Sequence, residues 1–180
     1  MGLFDKSYGA GLRHGYIKDT NNNVYDIDAI VSVEASPEQD DTEVKGDDAL
    51  KATFSFNRKE TLTITANGLS LDVLQALTGN SVSSSATGAE IALGTTGEMS
   101  PPFVEVGAYT NGKNQAGTSV VIKKVWHRVQ INKPVVKMAG ETEFSVELEG
   151  ISYQTATDIS GASLGSTRTA TLSVYEGSVS

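Results

Sequence analysis

The sequence predicts a mainly β fold: a sandwich- or barrel-type single domain with one short α-helix at about 70–79 and a long acidic loop at about 34–48. Three observations point there. Several segments alternate apolar and polar residues at a period of two, the spacing that sends successive strand side chains to opposite faces. The chain is rich in Gly, Ser and Thr, with 38% hydrophobic and 20% charged residues, a mix that favours strands and turns. Only one segment combines helical spacing with both end signals. A length of 180 residues suits one domain with a real core, so 1–180 reads as one unit with an irregular N-terminal arm at about 1–15.

That arm contains the Gly-rich run Gly9-Ala-Gly-Leu-Arg-His-Gly15, and Asn21-Asn-Asn23 reads as a turn. Val24 to Val33 is rich in β-branched residues and reads as a strand. Glu34 to Asp48 follows, with Glu34, Glu38, Asp40, Asp41, Glu43, Asp47 and Asp48 and no apolar period. A loop of that length in a compact domain is usually functional or disordered. Ala52–Asn57 and Thr61–Ala66 both alternate, and Asn57-Arg-Lys-Glu60 between them reads as a hairpin loop. One face of that hairpin carries Phe54, Phe56, Leu62 and Ile64. The other is an uncharged hydroxyl face of Thr53, Ser55, Thr61, Thr63 and Thr65.

Ser70-Leu-Asp-Val-Leu-Gln-Ala-Leu-Thr-Gly79 is the helix. Ser70 suits the N-cap, Asp72 the positive dipole end and Gly79 the left-handed stop, while Leu71, Leu74 and Leu77 form an apolar stripe. So short a helix docks on a sheet to be stable. Asn80 to Thr87 reads as a Ser-rich linker, and short strands follow at about Glu90–Leu93 and Phe103–Tyr109. Tyr109 to Gly117 reads as a loop and Ser119 to Ile131 as a long strand, with Pro134 marking an edge or bulge near its end. Thr155 to Ser166 reads as a polar loop, and Thr167 to Tyr175 as a final strand with Ala170, Leu172 and Val174 inward.

The most informative run is Glu141-Thr-Glu-Phe-Ser-Val-Glu-Leu-Glu-Gly-Ile151. Thr142, Phe144, Val146 and Leu148 fall on one strand face, and Glu141, Glu143, Glu147 and Glu149 on the other. Carboxylates crowded on one face repel. The face is either an ordinary solvated one or a surface that repels another polyanion.

Composition narrows the function classes. A net charge of −8 and the lack of any Lys/Arg-rich run argue against a surface that grips phosphates. The chain has no cysteine, which excludes disulfides, thiol catalysis and Cys-based zinc sites. No apolar run suits a signal peptide or a bilayer span, so the expected setting is a cytoplasm without membrane insertion. Of the two histidines, His14 lies in the Gly-rich arm, and His127 reads as a packing or hydrogen-bonding strand residue. The Asp40-Asp41 and Asp47-Asp48 pairs fit no EF-hand spacing, and no phosphate-cradling Gly loop occurs. No catalytic residue, metal or cofactor is expected.

In this order the pieces resemble the phage tail tube (major tail protein) family. Gly11-Leu-Arg-His-Gly-Tyr16 is similar to the family's Gly-Leu-Arg opening. A strand leads to the acidic loop, which closes on Gly46-Asp-Asp48 before a hairpin. Ala66-Asn-Gly-Leu-Ser-Leu-Asp-Val-Leu-Gln-Ala-Leu-Thr-Gly79 resembles the helix the family inserts next, and the Glu-rich strand ending Glu149-Gly-Ile-Ser152 also fits. The resemblance does not extend to Asn80–Gly117. It implies hexameric rings stacked into a tube, with strands of each subunit in an inner barrel, the helix outside and the long loop reaching an adjacent ring. It also implies an acidic lumen that conducts double-stranded DNA during ejection without binding it. Further implied partners are a tail tip or baseplate initiator, a tape-measure protein and a tail terminator. The implied location is the virion tail, assembled in the host cytoplasm.

Placed in that frame, the lumen-lining candidates are Glu141, Glu143, Glu147 and Glu149, with Thr61, Thr63 and Thr65 as a second, neutral wall. Alternatively Glu143 and Glu147 face outward or pair with Lys123 or Arg128 of the preceding strand. The ring-stacking candidates are Glu38, Asp40, Asp41, Glu43, Lys45, Asp47 and Asp48, with Lys45, Arg58 and Lys59 as basic partners. Alternatives are the inner tube of a contractile injection or secretion device and a non-polymerising capsid decoration or adhesin domain. A carbohydrate-active enzyme needs two carboxylates about 5–9 Å apart in a cleft.

Overall fold

Period-two alternation runs through most of the chain, and thirteen strands form among the described residues. The structure is a computed structural model describing residues 7–9, 12, 14–27, 30–46, 49–93, 101–137 and 145–177, with backbone alone for 7–9, 40–46, 49–57, 133, 136 and 137. The strands are β1 (Ser7–Gly9), β2 (His14–Lys18), β3 (Val24–Ile27), β4 (Ile30–Gly46) and β5 (Ala49–Ala66). After helix α1 (Leu71–Thr78) come β6 (Val82–Ser85), β7 (Gly88–Ile91), β8 (Phe103–Asn114) and β9 (Ser119–Lys137). The last are β10 (Ser145–Tyr153), β11 (Thr155–Thr157), β12 (Ser163–Arg168) and β13 (Ala170–Glu176). The chain is therefore mainly β with one short helix.

One antiparallel sheet has the order β3-β2-β8-β9-β10-β5-β4, with β1 added to β8 and β13 to β9. Its two ends are β3 and β4, yet only residues 28 and 29 separate Ile27 from Ile30 in sequence. Three peptide links span at most about 11 Å, so the sheet curls until its ends meet. Ile27 and Ile30 accordingly share one core with Ile17, Leu62, Val106, Trp126, Val129 and Leu148. Helix α1 buries Val73 and Leu77 in that core. Ser70 Oγ accepts the Val73 amide at 3.3 Å, and Gly79 closes the helix in the left-handed region at φ 74°. Both ends match the sequence reading.

Strand β9 changes partners along one edge. Its Val120–Trp126 stretch pairs with β13, and its Val129–Lys137 stretch with β10, while β8 lines the opposite edge as far as Gln130. Such a fork leaves polar groups at a core boundary, and Glu60 of β5 satisfies them. Its carboxylate accepts Trp126 Nε1 at 2.8 Å, Lys124 Nζ at 3.2 Å and Thr169 Oγ1 at 2.7 Å. Ser152 Oγ donates to the Thr169 carbonyl at 3.0 Å in the same place. Burial raises the Glu60 carboxyl pKa, but the donors and the Lys124 charge outweigh it, and the net shift is downward. The register slip at Asn132, two residues before Pro134, and the end of β8 pairing at Gln130 match the edge or bulge expected from that proline.

Three hairpins close with one recipe. Asp19, Asn114 and Asp158 each accept the backbone amides two and four residues on through the same side-chain oxygen. The residue three positions on, Asn22, Gly117 or Gly161, has positive φ. These are three-residue hairpin loops ending in a left-handed residue.

Several sequence expectations need correction. The acidic segment 34–48 is not a loop: through Gly46 it is most of β4, paired with β5 from Ile30↔Ala66 to Gly46↔Ala49. Its own pattern is weak, but hydrogen bonding to strongly alternating β5 supplies what local propensity lacks. Asn57–Glu60 is not a hairpin loop either, because β5 runs through it. The irregularity there is a bulge, a register slip between Glu38↔Lys59 and Asp40↔Phe56. Part of the N-terminal arm is ordered, since β1 pairs with Gly112–Asn114 and His14 opens β2. The Ser-rich linker forms the β6–β7 hairpin, Tyr109–Asn114 continues β8, and β11 and β12 occupy much of 155–166. Leu172 is 68% exposed rather than inward, because its neighbour across β9 is Lys124, beyond the reach of the core.

Candidate assembly surface

Side chains directly opposite on antiparallel strands share a face. Leu62, Ile64 and Ala66 of β5 point into the core, so Thr61, Thr63 and Thr65 lie on the outer face. On β10, Val146 and Leu148 are buried, leaving Glu147 and Glu149 outward. The register sets Glu147 beside Thr65 and Glu149 beside Thr63. The glutamates and threonines, two separate wall candidates in the sequence, therefore form one surface. Strand β4 extends it, with Ser32 beside Thr65 and Glu34 beside Thr63. The resulting rows are Ser32–Thr65–Glu147 and Glu34–Thr63–Glu149.

A hydroxyl separates the carboxylates within a row. Glu34 and Glu149 are two strand spacings apart, about 10 Å rather than about 5 Å. In water that separation halves the repulsion to roughly 0.4 kcal/mol. Thr63 thus keeps Glu34 and Glu149 from close repulsion, while Glu147 and Glu149 stand two residues apart along β10, about 7 Å. Glu34 takes part only because β4 is a strand, and its place was hidden by reading it as a loop. Opposite Glu147 on β9 stands Val135, not the alternative partners Lys123 or Arg128, and opposite Glu149 stands Lys133. Lys123 instead lies over the rings of Tyr16 and Tyr109, and Arg128 over Phe103. Glu141 and Glu143 fall outside the described residues.

The ring-stacking candidates lie on an arm. Pairing of β5 with β10 ends at Lys59↔Tyr153, whereas β4 and β5 pair on to Gly46↔Ala49. Beyond the bulge, β4 and β5 form a two-stranded ribbon carrying Asp40, Asp41, Glu43 and Lys45 on its β4 side, with Asp47 and Asp48 outside the described residues. Its base is tied within the chain. Glu38 accepts Thr61 Oγ1 at 2.6 Å and lies 3.2 Å from Lys59 Nζ, while Arg58 Nε donates to Gln39 Oε1 at 3.3 Å. The Thr61 bond and then Lys59 hold the Glu38 carboxyl below its ordinary pKa. Arg58 and Lys59 thus serve the arm's own base.

The outer face at the other end of the sheet holds a buried polar chain. Tyr16 donates to Glu105 at 2.9 Å, His127 Nδ1 lies 3.2 Å from the same carboxylate, and its Nε2 lies 2.8 Å from Thr171 Oγ1. Burial, then the Glu105 charge, pushes the Tyr16 phenol far above its ordinary pKa, so it stays a donor. His127 is thus a hydrogen-bonding strand residue, as its position suggested. Tyr16 lies flat on Gly107, where an added Cβ would come within 1.9 Å of the ring. No protein-family model and no curated protein matches this chain.

Proposed function

We propose that the chain is a structural subunit of a phage tail tube, forming stacked hexameric rings whose acidic lumen conducts double-stranded DNA. The observation that carries this reading is the pair of carboxylate–hydroxyl rows across β4, β5 and β10 on the face away from the core. DNA presents one negative charge per about 1.7 Å of axis, so a duplex in transit slides most freely along a wall that repels it or offers neutral hydroxyls. Glu34, Glu147 and Glu149 supply the repulsion, and Ser32, Thr61, Thr63 and Thr65 the neutral surface.

The arm supports the same reading. A lone two-stranded ribbon is marginal in water and gains stability by docking on a neighbour. A subunit that stacks on copies of itself provides that neighbour. The resemblance in the Gly-Leu-Arg opening and in the helix that follows β5 supplies the ring and tube geometry.

Negative-stain electron microscopy of the concentrated protein tests the proposal. Six-fold rings or hollow tubes are the expected result. A trimer or monomer that stays dispersed and binds a capsid or a sugar would replace the tube with a decoration or adhesin module.

A further inference from the structure

We propose that Glu105, His127 and Thr171 form a nucleophilic triad that transfers the acyl group of a small carboxylic ester to the Thr171 hydroxyl and then to water. The strand register builds the site. Val104 pairs with Val129 and Val106 with Trp126, so Glu105 alone on β8 faces both His127 and Arg128 on β9. The extra residue is a β-bulge, a device that re-aims side chains and recurs beside active sites. Trp126 and Val129 flank it and stay in the core, while His127 turns to the outer face with Glu105. Thr171 of β13 reaches the same face, because its neighbour Ala170 packs against the core.

The distances and donors suit base-assisted attack. His127 Nε2 lies 2.8 Å from Thr171 Oγ1, and Nδ1 lies 3.2 Å from Glu105 Oε2. A hydroxyl within hydrogen-bond reach of an imidazole that a third group orients is the signature of an activated nucleophile. Tyr16 donates to Glu105 Oε1 at 2.9 Å, which fixes the carboxylate from its other side. A carboxylate only accepts, so the neutral imidazole carries its proton on Nδ1 and leaves Nε2 to accept the Thr171 proton. Glu105 and His127 are each 7% exposed. Thr171 is half-buried, on a strand that pairs with β9 alone among the described residues.

A cleft of about 260 Å³ opens beside the imidazole, and its lining includes Phe103, His127, Arg128, Thr155 and Asp158. Asp158 is engaged by the amides of Ser160 and Ala162 and by Ser160 Oγ. Arg128, held over the Phe103 ring at 4.2 Å, brings a positive charge to the cleft. The carbonyl oxygen of an attacked ester turns negative, and a nearby cation stabilises it. Thr171 Oγ1 attacks the carbonyl carbon while its proton passes to His127 Nε2. The bond from that carbon to the alcohol oxygen breaks, and the alcohol leaves with the same proton. Water repeats the sequence at the acyl-threonine, releasing the carboxylic acid and restoring Thr171. Glu105 and Tyr16 are positioning residues. The site uses β2, β8, β9 and β13, so it stands independently of the carboxylate–hydroxyl rows on β4, β5 and β10.

Incubation of the protein with p-nitrophenyl acetate tests the proposal. Release of p-nitrophenolate gives the turnover, and peptide mass spectrometry locates the acetyl group. The expected result is acetyl-Thr171 with continuing release. Thr171→Val removes the hydroxyl at nearly constant volume and is expected to abolish both. Thr171→Ser keeps a hydroxyl and is expected to retain both, so a loss in the valine variant reports chemistry rather than folding. His127→Gln is expected to lower turnover by about a hundredfold. Glu105→Gln removes the charge that stabilises the imidazolium and is expected to lower kcat by about tenfold or more with KM unchanged. Acetyl groups confined to lysines in the wild type, undiminished turnover in Thr171→Val, or undiminished kcat in Glu105→Gln would overturn the triad.

Discussion

Glu60 and Gly107 are the residues on which the sheet's connections depend most visibly. Glu60 joins β5, β9 and the start of β13 through three donors, and bonds to a charged group contribute about 1.5–3 kcal/mol each. Glu60→Gln is expected to cost about 2 kcal/mol in urea denaturation at neutral pH, since the amide weakens the set without emptying the site. Because the folded pKa of Glu60 is depressed, its contribution is full above the carboxyl's unfolded pKa and fades as pH falls through the folded value. The gap between wild type and Glu60→Gln should therefore close on acidification, read as converging midpoints. Gly107→Ala drives a methyl into the Tyr16 ring and is expected to cost about 1–3 kcal/mol in thermal melts. Neither role was legible in the sequence. Glu60 sat inside a supposed loop, and its partners Lys124, Trp126 and Thr169 are more than sixty residues away. A distant register decides both positions, and no local period reports it.

At the scale of elements, the strong local signals held. The α1 caps, the turn at Asn21–Asn23 and the alternation of Thr61–Ala66 and Ser145–Ile151 appear as expected, because each is fixed by neighbours in sequence. The segments that failed, the acidic stretch and the Ser-rich linker, are strands held by pairing rather than by their own pattern. The candidate wall was legible in part. Its glutamates and threonines each showed by alternation, but only the β10–β5 register merged them, and only the β4–β5 register added Glu34. The arm is structurally separable, since among the described residues no third strand pairs with it beyond Lys59. Excising residues 40–56 and closing with Asn-Gly is therefore expected to leave the melting temperature within a few degrees, because the core keeps its residues. The same variant is expected to form no tubes in electron micrographs. Tubes of normal length would remove the arm from assembly.

Across the whole molecule, the curled sheet separates two tasks. Its inner side, with α1, buries the apolar core, and its outer side is left for charge and contact. The carboxylate–hydroxyl face occupies the β10-β5-β4 end, and the buried Tyr16–Glu105–His127 chain lies toward β2 and β8. Glu147→Lys with Glu149→Lys reverses the wall while leaving the buried alternate positions untouched, so folding and ring formation should survive. Particles carrying both changes are expected to release DNA more slowly in an ejection assay, with the difference shrinking as salt screens the contacts. The most direct test of the central claim is an electron cryomicroscopy reconstruction of the assembled protein. The account predicts a six-fold hollow tube with Glu34, Thr63, Thr65, Glu147 and Glu149 on the lumen wall. A tube lined by another face, or a protein that forms no ring at any concentration, would contradict it.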